Sequence, residues 1–180
     1  ESTIVENLAD PTIPGNFDYV RAGRVAWPWL TDHEWGNGTR EGMKTYIDLA
    51  RDAGWEYFGL DVGWHEFEET WVPEVIEYAR AQGVKIILWY EYKRLKDLPG
   101  TEATFQKIAP WGVAGVKIDF VFDDIQEVQS YIVGALRLGA KYRLMVNFHG
   151  ITKPVGYRRT WPNLVSREAV KGHEWYKNNA

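Results

Sequence analysis

At 180 residues, with 45% hydrophobic and 26% charged side chains, the chain is long enough for one substantial core and has globular composition. A formal net charge of -4 gives no basic surface for nucleic acid, and no apolar run approaches membrane-spanning length. With no cysteine, disulfides and thiolate metal sites are excluded. The 10 Trp, 10 Tyr and 7 Phe supply flat apolar faces with polar edges, which suit both a large core and the stacking of sugar rings.

Residues 1–22, with Pro11, Pro14 and Gly15, read as a polar lead-in, and residues 23–180 carry a repeating pattern. No charged-then-apolar leader opens the chain at Glu1, so an export signal is expected to be absent or to lie outside these residues. Arg24 to Leu30 is expected to form a strand. A helix over Thr39 to Ala53 follows, with Met43, Tyr46, Ile47 and Ala50 at helical spacing and Gly54 as its stop. A second strand is expected over Tyr57 to Trp64 and a second helix over Trp71 to Gln82, closed by Gly83. Lys85 to Tyr92 reads as a third strand, with a shorter helix near Glu102 to Ile108.

The fourth strand, Gly112 to Phe120, is the most informative. Period two puts Val116, Ile118 and Phe120 on one side and Lys117 with Asp119 on the other, a charged pair that is costly to bury unless it is paired or used. Asp123 and Asp124 stand where an N-cap would, before a helix marked by Ile125, Val128, Ile132, Ala135 and Leu136 and ending at Gly139. A fifth strand is expected over Tyr142 to Gly150 and a sixth from about Asn163 to Glu168.

Strands alternating with helices at this spacing imply an α/β fold with parallel strands and right-handed crossovers. No Gly-x-Gly-x-x-Gly turn follows the first strand, which disfavours a doubly wound dinucleotide fold. A (β/α)8 TIM-type barrel, incomplete at about six of eight units, is the better reading. In such a barrel one parity of each strand faces the lumen, and chemistry sits at the strand C-termini. The inward set is Trp27 and Trp29, Asp61, Trp89 with Glu91, Lys117 with Asp119, Asn147 with His149, and Ser166 with Glu168. Singly, each has a plain structural explanation: Asp61 could cap a helix, His149 could be a core histidine, and Lys117 with Asp119 could be a structural ion pair. Together they would build a wet, charged pocket that packing does not need. Two carboxylates in a pocket walled by indoles are what glycosidic bond cleavage requires, and Asp61, Glu91, Asp119, Glu168 and Glu174 are all candidates by position.

Five ordered segments carry a resemblance to glycoside hydrolase family 97. They are Gly23-Arg24-Val25-Ala26-Trp27, Gly54-Trp55-Glu56-Tyr57 running into Asp61-Val62-Gly63-Trp64, Gly115 to Phe120, Leu144 to Gly150, and Arg159 to Leu164 leading into Glu168 to Glu174. The resemblance implies an exo-acting hydrolase of α-linked sugars. In the retaining branch, chiefly α-galactosidases, the nucleophile is the Asp of Lys-x-Asp-Phe, here Asp119. The inverting branch, chiefly α-glucosidases, lacks it and carries a base glutamate directly after the His of the fifth strand, where this chain has Gly150. Glu174 matches the acid/base, and Glu168 and Glu174 match calcium-binding positions. The implied reading is a retaining exo-α-galactosidase acting on an α-galactoside or related oligosaccharide. An α-glucosidase on the same scaffold or a non-catalytic sugar-binding fragment are its alternatives. Lys117 is expected to hydrogen-bond the sugar and to favour the charged form of the carboxylate beside it. Asp61, Glu91 and His149 are expected as hydroxyl ligands, and Trp27, Trp29 and Trp89 as stacking walls. The resemblance further implies a calcium cofactor, flanking β-domains beyond this chain, and a periplasmic or secreted location.

Overall fold

The computed structural model describes residues 3–29, 39–95, 97–172 and 175. In chain order its elements are α1 (Thr3–Leu8), β1 (Val25–Ala26), α2 (Arg40–Asp52), β2 (Tyr57–Leu60), α3 (Val72–Ala81), β3 (Lys85–Glu91), α4 (Tyr92–Leu95), α5 (Leu98–Ile108), β4 (Gly115–Asp119), α6 (Gln126–Lys141), β5 (Met145–Phe148), α7 (Tyr157–Thr160) and β6 (Leu164–Arg167). Short 3-10 turns lie at Trp64–Phe67 and Ala109–Trp111.

The six strands form one sheet in the order β1-β2-β3-β4-β5-β6, each pair of neighbours parallel. A doubly wound sheet reverses its order at a switch point, and these strands do not. Crossovers of one hand, always stepping the same way, put every helix on one face and curl the sheet into part of a (β/α)8 barrel. The outward parity packs against those helices: Phe58, Leu60, Ile86, Leu88, Val116, Ile118, Val146 and Phe148 are all buried. They meet Met43, Ile47 and Ala50 of α2, Val75 and Ala79 of α3, Phe105 and Ile108 of α5, and Ile132 and Leu136 of α6. No helix among the described residues is long and apolar enough to cross a membrane.

Several boundaries differ from the sequence expectation, for local reasons. The first strand shrinks to Val25–Ala26, and its expected end at Leu30 lies outside the described residues. Gly139 does not stop the long helix. It lies inside the helix, where a Cβ would be 2.8 Å from both Asn163 Nδ2 and Val146 Cγ2, so the glycine serves close packing against β5. The helix runs on to Lys141, and Tyr142 is its C-cap instead of a strand residue. At the other end the N-cap is Ile125, in extended conformation and without a side-chain cap, in place of Asp123 or Asp124. The chain between Asp119 and Gln126 is spent carrying Phe120 and Phe122 across the barrel mouth, so the helix starts later. The lead-in contains the unanticipated α1, and residues 10–13 are tied to α7: Ile13 N donates to Thr160 O at 3.0 Å and Thr160 Oγ1 to Asp10 O at 2.8 Å.

Candidate active site

Register sets the inward side chains in tiers. Trp89 of β3 lies level with Lys117 of β4, and Lys117 with Asn147 of β5. One step higher, at the strand C-termini, Glu91 lies level with Asp119. The Lys117 ammonium sits between two carboxylates, 3.0 Å from Asp61 Oδ2 and 3.5 Å from Asp119 Oδ2. It also lies 4.3 Å from the centre of the Trp27 ring, a cation-π contact. The indoles complete the frame by donating. Trp27 Nε1 donates to Asp61 Oδ2 at 2.6 Å, and Trp89 Nε1 to Asp119 Oδ2 at 3.0 Å. Backbone amides take the other oxygens: Val62 N donates to Asp61 Oδ1 and Phe120 N to Asp119 Oδ1, both at 2.8 Å. Two acids this deeply buried, with Asp61 4% and Asp119 8% exposed, are sustained by one shared cation and several donors.

Asp61, Asp119, Lys117, Trp27, Trp29 and Trp89 line a cavity of 340 Å³ at the barrel mouth, and Glu168 reaches it from the chain after β6. A second space of 390 Å³ lies beneath it on the concave face of the sheet and contains His149, Asn147 and Ser166. His149 Nδ1 is 3.2 Å from Glu168 Oε2, a contact that ties the two walls together. Burial, and then the Lys117 ammonium, push the ring down to about 4, against the Asp119 and Asp61 carboxylates that favour its charged form. His149 is therefore neutral at physiological pH.

A histidine at about 4 when folded and about 6.5 when unfolded makes stability pH-dependent. Between those values the unfolded chain holds a proton that the folded chain does not. Stability is therefore full above about pH 6.5 and falls by up to about 3 kcal/mol as pH drops toward 4. Chemical denaturation across this window should show that loss, and His149→Asn should flatten it. An equal slope in the variant would assign the loss to other groups, of which His65, also pushed down to about 4 by burial, is the first.

Of the residues predicted from sequence, Asp61, Lys117, Asp119, Trp27, Trp29, Trp89 and Glu168 converge on the upper cavity and His149 on the lower. Glu91 does not join them. It lines neither cavity, because β3 ends there and the chain turns at once into α4. Glu174 lies outside the described residues. Sequence reasoning missed Phe120, Phe122 and Gly150, which line the mouth. Phe120 was placed outward by alternation, but its φ of 63° turns the chain and shifts the phase, so Val121 is buried while Phe120 and Phe122 are exposed. Calcium takes six to eight oxygen ligands. Among the described residues no group of three or more acidic or histidine side chains is gathered that could hold a metal, and of the two implied calcium positions Glu168 lies beside His149 while Glu174 is outside the described residues.

The one-directional parallel sheet with a charged pocket at its strand C-termini is the architecture of part of a (β/α)8 barrel. The sequence model described as Glycoside hydrolase 97 matches residues 20–170, and the chain belongs to that family. A "Probable retaining alpha-galactosidase" of Streptomyces bingchenggensis (strain BCW-1) is 33% identical over 192 residues, covering 100% of this chain and 30% of the relative. A "Retaining alpha-galactosidase" of Bacteroides thetaiotaomicron is 32% identical over 191 residues, covering 94% of this chain and 28% of the relative. The chain thus spans under a third of the length of these curated relatives. Among solved structures, a beta-arabinopyranosidase superposes with a TM-score of 0.86 at 30% identity, over 93% of this chain and 28% of that one. A family 97 enzyme from Pseudoalteromonas sp. strain K8 in complex with acarbose shares the fold, with a TM-score of 0.78 at 21% identity over 97% of this chain and 33% of that one.

Proposed function

We propose that the protein containing this chain hydrolyses terminal α-linked galactosides with retention of configuration, using Asp119 as nucleophile and Glu174 as acid/base. The observation that supports this most is the Asp119 carboxylate itself. It stands at the C-terminal end of β4, faces the mouth cavity, and is oriented by an indole N-H, a backbone N-H and an ammonium. Such fixed donors hold a nucleophile in an attack geometry without reorganisation at the moment of reaction.

In the first step an Asp119 oxygen bonds to the anomeric carbon as the glycosidic C-O bond breaks, and the departing oxygen takes a proton from Glu174. In the second, Glu174 removes a proton from water, the water oxygen bonds to the anomeric carbon, and the ester bond to Asp119 breaks. Two inversions leave the α anomer. In this reading Asp61 and Lys117 bind sugar hydroxyls beside this carbon, and His149 orients Glu168 from below.

The beta-arabinopyranosidase likeness favours a second reading within the same chemistry. A β-L-arabinopyranoside has the ring configuration of an α-D-galactoside without the hydroxymethyl group, so the same carboxylate frame serves both. Parallel assays of the full-length protein on aryl α-galactoside, β-L-arabinopyranoside and α-glucoside decide the matter. The expected order puts the galactoside first, with the glucoside at least about tenfold behind, since a misplaced hydroxyl leaves a buried partner unpaired. Preference for the glucoside would overturn the galactosidase reading, and binding of all three without turnover would support a sugar-binding module.

A further inference from the structure

Phe120 is a bulky side chain held at a φ of 63°, a left-handed conformation that such residues rarely adopt and that persists where the surroundings demand it. Its amide is bound to the Asp119 carboxylate at 2.8 Å, so the turn is locked to the nucleophile. Its ring stands edge-on to Trp89, centroids 6.1 Å apart, and lies 5.5 Å from the ring of Phe122. Both rings line the mouth cavity and yet face solvent, Phe120 43% and Phe122 75% exposed. Within this chain both phenyl groups are left uncovered beside the buried charge cluster.

Gly150 makes the arrangement possible. A Cβ at this position would lie 2.8 Å from Phe122 Cε1 and 3.3 Å from Phe120 Cα, and the residue has a φ of 52°. Any side chain at 150 must displace the Phe122 ring. The aromatic pair therefore occupies the space that a residue after His149 would otherwise take, at the outer edge of the cavity and away from the Asp61–Lys117 floor.

We propose that Phe120 and Phe122 form the platform on which the leaving group of the glycoside stacks, and that Gly150 is the residue that leaves room for it. This rests on the galactosidase reading. The ligand chemistry is a flat ring with an apolar face, either a second hexose or an aryl group. Phe122 is largely exposed in this chain and Phe122→Ala removes its ring, whereas Gly150→Ala, strained at a φ of 52° and crowding the Phe120 backbone as well, displaces the ring without removing it.

The test uses both variants in the full-length protein. Values of kcat/KM for an aryl α-galactoside and for an α-galactosyl disaccharide are each divided by that for α-galactosyl fluoride, whose leaving group is too small to reach the platform. Phe122→Ala should lower at least one ratio about tenfold, the worth of a stacked ring, and Gly150→Ala should lower the same ratio by several-fold. A fall confined to the aryl or to the disaccharide ratio identifies which ring is accommodated. Both ratios within twofold of wild type would overturn the proposal. Calorimetry in the Asp119→Asn background gives a readout independent of turnover: that protein should bind phenyl α-galactoside about tenfold more tightly than the methyl glycoside, a preference lost when Phe122→Ala is added. That preference together with a wild type that hydrolyses neither glycoside would overturn the catalytic reading and keep the platform, whereas equal affinities in the Asp119→Asn protein would overturn the platform.

Discussion

Replacing Asp119 by glycine should abolish turnover of an aryl α-galactoside, with kcat down at least about 10⁴-fold, and sodium azide should restore part of it. Without the carboxylate no glycosyl ester forms. The groups that held it remain: the Trp89 indole, the Phe120 amide and the Lys117 ammonium then frame a recess suited to a small anion. Azide entering that recess attacks the anomeric carbon from the side Asp119 used, so the product is the inverted β-galactosyl azide. Loss of activity without azide rescue would leave the role of Asp119 open to a purely positioning explanation, and undiminished turnover would remove it from the mechanism.

Lys117→Met should be the second largest effect. Its side chain is 13% exposed and serves Asp61 and Asp119 together, so its loss leaves two buried carboxylates facing each other without a cation. Breaking a buried pair costs about 3–5 kcal/mol, which urea unfolding should read as a lower midpoint with an unchanged slope. Activity should fall about 100-fold as the charge beside the nucleophile goes. Adding Asp61→Asn should recover part of the stability, because the two residues are in direct contact and their effects do not add. A Lys117→Met protein as stable as wild type would show that the cluster is hydrated rather than held by the lysine.

Alternation carried the sequence reading along most strands and, for β2 and β5, one residue beyond them. Val116 and Ile118 pack outward while Lys117 and Asp119 point in, and the same parity placed Trp89, Asp61 and His149 correctly. It failed at the end of β3 and just past the end of β4. Parity does not show that β3 gives way at once to α4 and takes Glu91 from the cavity, nor that a phenylalanine adopts a positive φ directly after the nucleophile. The indoles illustrate a subtler limit. Composition suggests rings for stacking, but the hydrogen bonds of Trp27 and Trp89 to the two aspartates depend on register between strands far apart in sequence. The choice of barrel over doubly wound sheet was legible as a missing Gly-rich turn and a pattern of polar strand ends, and the unbroken strand order decides it.

The most direct test of Asp119 as a nucleophile is the configuration of the first sugar released. Proton magnetic resonance during the earliest turnover of an aryl α-galactoside by the full-length protein should show α-galactose first, with the β anomer arising only by mutarotation. β-Galactose appearing first would mean a single displacement by water, and would contradict a covalent role for Asp119.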